Sequence, residues 1–270
     1  MQNRICLVTG ASAGIGKATA LGLAQQGATV VMVARSVERG QATLNEIQQA
    51  TRNPNLHLLI ADLASQAAIR RLAEDFQARF SALHVLINNA GVISATRQVT
   101  VDGYELQFAV NHLAYFLLTH LLLDTLKAST PARIINVSSQ VHSWATLNFE
   151  DLQSEQHYEP RKVYGMTKLA NVYFTMALAQ RLAGTGVTVN CLHPGVIQTQ
   201  LMRDYGTAMS GDTPEAGART SIYLATSPAV EGVTGGYFVN QRQAEAAEKS
   251  QNSAIAERLW TISAQMTGLA

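Results

Sequence analysis

Tyr164 and Lys168 stand four residues apart in Val163-Tyr164-Gly165-Met166-Thr167-Lys168. On a helix this spacing projects a phenol and an ammonium from one face, one turn apart. A free phenol, with a pKa near ~10, is a poor proton donor at neutral pH. A cation beside it favours the phenolate and lowers that value. A shift of about three units takes about 4 kcal/mol of differential stabilisation. One close ammonium in a partly dry cleft supplies much of it. Such a tyrosine gives a proton to a carbonyl oxygen and takes it back from an alcohol. Alone, a pair at this spacing is more often a solvated surface contact. Other motifs in the chain give it weight.

The first of these is Thr9-Gly10-Ala11-Ser12-Ala13-Gly14-Ile15-Gly16, between an apolar strand pattern and a helical one. Glycines there let the turn close and let a pyrophosphate approach the backbone. The helix that follows offers N–H groups and a partial positive charge. Gly10, Ser12, Ala13, Gly14, Ile15 and Gly16 are therefore expected on a dinucleotide. The second strand ends in Ala34-Arg35-Ser36, with no acid. An NAD site places Asp or Glu there, on the ribose 2′-hydroxyl. A guanidinium instead suits a phosphate. The expected cofactor is NADP(H), with Arg35 and Ser36 on its 2′-phosphate. Asp62 and Leu63 follow the third strand. Asp62 there either accepts from the adenine amino group, the reading preferred, or caps the next helix.

Strand-like and helix-like runs alternate along the chain. Strands are expected at Arg4–Thr9, Ala28–Ala34, Leu56–Ala61, His84–Asn88, Ala132–Val137 and Val187–Leu192. Helices are expected at Ile15–Gln26, Val37–Ala50, Ser65–Arg79, Asp102–Lys127 and Arg161–Leu182. This alternation argues a single doubly wound α/β domain, a parallel sheet with helices on both faces. The strands are near-continuously apolar, as strands covered on both faces are. Two segments break the rhythm, 143–160 and 198–213. The second is expected to be a substrate lid, with Leu201, Met202, Tyr205 and Met209 as an adaptable apolar wall. The tail 253–267 is amphipathic and expected to pack on the domain as a helix.

Composition excludes several function classes. The 270 residues carry a net charge of +1, with 20 basic and 19 acidic side chains. No basic stripe or block appears, so no nucleic-acid partner is expected. Hydrophobic residues make up 47%, enough for a large core. No signal peptide or membrane anchor is read, and a reducing, cytoplasmic compartment is expected. Cys6 and Cys191 both fall in predicted strands and are read as small buried hydrophobes. The seven histidines show no ligand spacing, so no metal is expected.

Taken together, Thr9–Gly16, Asn88-Asn89-Ala90-Gly91, Asn111, Ser138-Ser139, Tyr164 with Lys168, and His193-Pro194-Gly195 resemble the short-chain dehydrogenase/reductase family. Asn136-Val137-Ser138-Ser139, Lys168-Leu169-Ala170-Asn171 and Glu257-Arg258-Leu259-Trp260 resemble its retinol-dehydrogenase-like branch. The resemblance implies strand order 3-2-1-4-5-6-7 in a sheet of about seven strands. It implies catalysis by Asn111, Ser139, Tyr164 and Lys168. Tyr164 is the general acid, Ser139 steadies the substrate oxygen, Lys168 binds the nicotinamide ribose, and Asn111 holds a relay water. Asn89, Ala90 and Gly91 lie by the adenine ribose. Ile197, through its backbone, and Thr199 fix the carboxamide, and Pro194 and Gly195 also bind the cofactor. A homo-oligomer is implied through the helices starting near Asp102 and Arg161.

Ser138 rivals Ser139, since consecutive strand side chains face opposite ways; the family pattern selects Ser139. His142 and Trp144 either line the substrate pocket or pack in a loop. The expected function is NADPH-dependent reduction of hydrophobic aldehydes or ketones, reversible as alcohol oxidation. Retinal-like aldehydes and ketones on acyl chains are both candidate substrates. The rival from another class is a non-catalytic NADP(H)-binding sensor. A protochlorophyllide reductase is disfavoured, because both cysteines fall in core strands.

Overall fold

The carboxyl ends of a parallel sheet border both the glycine turn and the Tyr164–Lys168 face. The computed structural model describes residues 1–201 and 211–270. Its strands are β1 (Ile5–Thr9), β2 (Thr29–Ala34), β3 (Leu56–Ile60), β4 (Val85–Asn88), β5 (Ala132–Val137), β6 (Val187–His193), β7 (Tyr237–Val239) and β8 (Arg242–Ala244). They lie in the order β3-β2-β1-β4-β5-β6-β7-β8. The first seven run parallel, and β8 returns antiparallel along β7. The expected order holds and gains one exposed edge strand. Strand order reverses between β1 and β4, and a crevice opens at the carboxyl ends of strands on either side of such a reversal.

Side-chain alternation divides the core. Cys6 and Val8 of β1 join the apolar layer under α1 (Gly14–Gln25) and α2 (Val37–Thr51). Leu7 joins the opposite layer, with α3 (Gln66–Arg79) and the helices after β4. Both cysteines are buried free thiols on strands three spacings apart.

The single helix expected over Asp102–Lys127 is in fact four pieces. Glu105 caps α4 (Leu106–Phe108), its two carboxylate oxygens accepting from Gln107 N and Phe108 N at 2.9 and 2.7 Å. A π-turn spans Ala109–Leu113 and carries Asn111. Helix α5 (Ala114–Leu121) follows, and a break at Leu122 precedes α6 (Leu123–Ala128). Asp102 starts no helix here; its carboxylate accepts from Gln66 N at the head of α3. Periodicity could not reveal the widened turn, because one extra residue shifts the apolar face without removing it.

Helix α7 (Pro160–Arg181) begins with Pro at its first position. Helix α8 (Pro214–Thr226), which the sequence reading left unassigned, is capped by Thr213. The tail forms α9 (Ser253–Met266), capped by Asn252 and packed on α7 as expected. The Arg181 guanidinium lies 3.9 Å from the Trp260 ring centroid and forks onto Glu257. Trp260 also meets Phe116 edge-on at 5.0 Å. No helix among the described residues is long and apolar enough to cross a membrane.

Trp260 is thus one apolar rivet of α9, beside the buried Leu259. Trp260→Ala should destabilise the fold by about 2–3 kcal/mol, below a full core value because the indole keeps some exposure. The urea unfolding midpoint measures this, and an unchanged midpoint would remove the rivet.

Candidate active site

A continuous cleft of about 810 Å³ runs over the carboxyl ends of the strands. It is bounded at one end by the β1–α1 turn and at the other by α7. Gly10 takes φ +66°, and a Cβ there would fall 2.9 Å from Ala90 Cα. A Cβ on Gly16 would fall 2.2 Å from the Gly10 carbonyl oxygen. The turn therefore closes only with glycine at both positions. Thr9 and Asn89 brace it: Asn89 N and Ala90 N both donate to Thr9 Oγ1, and Asn89 Nδ2 donates to Thr9 O at 2.8 Å. Ala13 at the head of α1 provides no side-chain cap, and the first turn holds no acid. Four N–H groups at a helix head need acceptors. Here they border the cleft, so the chain itself offers a receptor for an anion and not for a cation.

Arg35 lies at the cleft wall at the end of β2, with Ser36 beside it. Ser36 Oγ caps α2 by accepting from Arg39 N at 3.2 Å. Arg39 lines the same wall. Sequence reasoning missed it, because its place on the wall depends on how α2 leaves the end of β2. Asp62 and Leu63 border the cleft after β3. Asp62 Oδ1 accepts from Ala64 N at 3.0 Å, and Ser65 is the residue that caps α3. Of the two readings of Asp62, the helix-capping one is thus excluded.

At the other end, Lys168 is 2% exposed. Its Nζ donates to the Val137 carbonyl at 3.0 Å, at the end of β5. It lies 5.4 Å from the Tyr164 ring centroid and 5.8 Å from that of Tyr115. Burial pulls the Lys168 ammonium down from 10.5 to about 7. The sequence reading treated this amine as a standing cation; the fold makes its charge costly instead. Tyr164 is half-buried and borders the cleft.

The two serines divide as strand alternation requires. Ser138 Oγ donates to the Lys168 backbone carbonyl at 2.8 Å, tying β5 to α7. Ser139 is half-buried at the cleft, where its oxygen accepts a long contact from Val141 N at 3.4 Å. Asn111 serves as a clamp. Its amide holds Val92 O at 2.9 Å, Val92 N at 2.8 Å and Thr167 Oγ1 at 3.2 Å. Asn111 Oδ1 and Lys168 Nζ both face the space a Gly91 side chain would take, at 3.5 and 3.7 Å.

Pro194, Gly195, Ile197 and Thr199 continue the wall after β6. Ile197 is anchored there, because Gln198 N donates to Asp212 O and Asp212 N donates to Val196 O. Of the expected lid, Leu201 reaches the cleft, whereas Met202, Tyr205 and Met209 lie outside the described residues. His142 turns out to be packing: it is 2% exposed, its Nδ1 meets Ser139 O at 2.7 Å, and its Nε2 accepts from Ala247 N. Trp144 is the one that borders the cleft, against Gly165 of α7. Leu106, Val110 and Arg161 also line it and were not singled out by sequence. Arg161 precedes Tyr164 by one turn, which was the available clue.

The short chain dehydrogenase family profile matches residues 4–210. Mouse retinol dehydrogenase 11 is 42% identical over 278 aligned residues, spanning 100% of this chain and 88% of the relative. Among solved structures, an uncharacterised protein from Mycobacterium paratuberculosis superposes with a TM-score of 0.83 at 31% identity, covering 99% of this chain and 94% of that one. The Pseudomonas aeruginosa RhlG/NADP active-site complex superposes at 0.73 and 29% identity, covering 88% and 94%. With its glycine turn, its strand order and its Tyr164–Lys168 face, the chain belongs to the short-chain dehydrogenase/reductase family, in the retinol-dehydrogenase-like branch.

Proposed function

We propose that the protein reduces hydrophobic aldehydes or ketones with NADPH, and reverses this as an alcohol dehydrogenase. One observation carries the reading: Tyr164 and Lys168 share a face of α7 that opens on the cleft whose far end holds the uncapped head of α1. The residues fit a dinucleotide phosphate. Donor N–H groups border the cleft at one point, and two guanidinium groups, Arg35 and Arg39, line it just after β2, while Glu38 between them in sequence is not part of that lining. Gly10, Ser12, Ala13, Gly14, Ile15 and Gly16 would hold the pyrophosphate. Arg35, Arg39 and Ser36 would hold the 2′-phosphate. Asp62 and Leu63 would meet the adenine, and Asn89, Ala90 and Gly91 the ribose beside it. Pro194, Gly195, Ile197 and Thr199 would orient the carboxamide.

A bound nicotinamide cofactor supplies the hydride. Tyr164 gives its phenolic proton to the carbonyl oxygen as negative charge develops there. Ser139 donates to that same oxygen and steadies the charge. Lys168 favours the phenolate that Tyr164 becomes, and its ammonium requires partners beyond Val137 O to keep its charge in this buried position. Both Asn111 amide hydrogens are held within the protein, so a relay water would meet Asn111 through its remaining acceptor capacity. Val92, Leu106, Val110, Val141, Trp144 and Leu201 give the substrate end of the cleft an apolar wall. That wall supports a hydrophobic carbonyl compound, as does the likeness to retinol dehydrogenase 11. The two thiols, pushed up to about 12 by burial, support a role without redox cysteines.

Turnover is tested by NADPH oxidation with carbonyls graded from benzaldehyde through nonanal to all-trans-retinal. Tyr164→Phe should lower kcat by roughly a thousandfold while NADPH affinity stays within about twofold. Retained turnover would remove Tyr164 as the acid. NADPH binding by the parent without turnover of any carbonyl would favour the sensor instead.

Arg35→Ala should weaken NADPH by roughly tenfold and leave NADH nearly unchanged, with Arg39→Ala adding to the loss. Equal losses for both cofactors, measured as Kd, would overturn the 2′-phosphate assignment.

Lys168 also predicts a pH effect on the cofactor-free protein. Its folded value of about 7 lies below the 10.5 of the open chain. Between the two, the unfolded state binds more protons, so stability rises with pH across that window. Below about 7 the cost of burying the ammonium is fully present. Lys168→Met should therefore be more stable than the parent by on the order of 2–4 kcal/mol at pH 6, with the gap closing towards pH 10. Urea midpoints at pH 6, 8 and 10 check this, and a gap widening with pH would contradict it. The same variant should lose turnover.

A further inference from the structure

A chain of buried polar side chains crosses the core from α9 to the π-turn beneath the cleft. Ser263 Oγ on α9 is 2.9 Å from His112 Nε2. His112 Nδ1 is 3.3 Å from Asn171 Oδ1. Asn171 Nδ2 donates to the backbone carbonyl of Asn111 at 2.8 Å. All three side chains are fully buried. The Asn171 amide spends its N–H on Asn111, so its oxygen accepts. His112 Nδ1 must then carry the proton, and Nε2 accepts from the Ser263 hydroxyl. Burial pulls His112 down to about 4, which keeps the ring neutral, as this pattern requires. One tautomer satisfies every contact.

The far end of this chain bears on the proposed chemistry. Asn111 grips Val92 by both its N–H and its C=O, and grips Thr167, the residue before Lys168. Its Oδ1 shares the space at Gly91 with the Lys168 ammonium. A shift of the π-turn therefore changes the separation between Lys168 and the Gly91–Val92 wall. Turns of this kind are rare and occur often at functional sites, and here the Asn171 amide donates to a carbonyl of the turn. The family match ends at residue 210; Ser263 lies well beyond it, so one anchor of the site sits outside the segment that defines the family.

We infer that Asn171 and His112 are positioning residues for the reaction, held in place by Ser263, so that α9 completes the active site by fixing the π-turn against Lys168. This rests on the Tyr164–Lys168 reading above. Neither residue touches substrate or cofactor; both act through Asn111. The network constrains geometry during turnover more than it constrains cofactor binding, since Asn111 faces Lys168 and not the α1 or α2 ends of the cleft. A buried polar chain with every member paired holds its parts more narrowly than apolar packing does.

The full-length protein is assayed with NADPH and the most active aldehyde of the graded panel. Asn171→Asp keeps the side-chain shape and removes the donor to Asn111. Its kcat should fall about tenfold, with KM for NADPH within about twofold and the far-ultraviolet spectrum unchanged. Ser263→Ala should lower kcat about threefold, and the double variant should be no slower than Asn171→Asp alone, since both act through one chain. Parental kcat in folded Asn171→Asp, or losses that multiply in the double variant, would overturn the inference. If Asn171→Asp does not fold, Ser263→Ala decides alone: a threefold kcat loss at unchanged KM supports the role, and parental kcat rejects it. Tyr164→Phe is run alongside. An inactive Tyr164→Phe with parental Asn171→Asp rejects only the positioning role, whereas an active Tyr164→Phe rejects both.

Discussion

The Lys168 ammonium, buried against the Val137 carbonyl, constrains more of this structure than any other contact. An amine in that position loses its hydration and regains only part of it from one carbonyl and two aromatic faces. The surroundings must therefore be rigid enough to stop it swinging out to water. Parallel pairing with β4 and β6 fixes the end of β5, which provides the carbonyl. Tyr115, one of the two aromatic faces, is itself pinned by its hydroxyl to Ala90 O at 2.7 Å. Ser138 ties the Lys168 backbone to the same strand end. The amine is thus gripped at its head and at its root by β5.

Much of the remaining rigidity comes from amides inside the core. Asn88 and Asn136 stand opposite each other on β4 and β5 and share a hydrogen bond at 2.9 Å. Asn136 passes a second bond to Thr175 on α7, and Thr175 donates to the Asn171 carbonyl. The sheet and α7 are therefore in register through directional bonds as well as through apolar contact. Packing alone tolerates small slides, whereas a paired polar network in a low-dielectric interior does not. Proton transfer demands this precision, since a misplacement of about 1 Å can cost two orders of magnitude in rate.

The two ends of the cleft use opposite physics. At α1 and α2 the protein presents donors and guanidinium groups, exposed and hydrated, suited to a polyanion that brings its own charge. At α7 it presents a costly buried cation and an apolar wall, suited to a neutral substrate whose charge appears only during reaction. One continuous cleft joins them because strand order reverses between β1 and β4 and the connecting segments diverge there.

How far the sequence reached follows from what each feature depends on. The parallel sheet, the glycine turn and the Tyr164–Lys168 face rest on periodicity or on spacings of a few residues, so they could be read directly. The choice of Ser139 over Ser138 came from family resemblance, and the fold supplied a physical reason by spending Ser138 on Lys168 O. The break-up of the helix after β4 escaped, because a π-turn leaves the apolar pattern nearly intact. His142 could not be placed by sequence, because its partner Ala247 is 105 residues away. The link from His112 to Ser263 spans 151 residues. The sequence alone thus determined local geometry: which groups share a helix face and which turn can close. Only the tertiary structure decided which polar groups lose water and what they meet in its place, because desolvation belongs to the assembled neighbourhood and not to any stretch of chain.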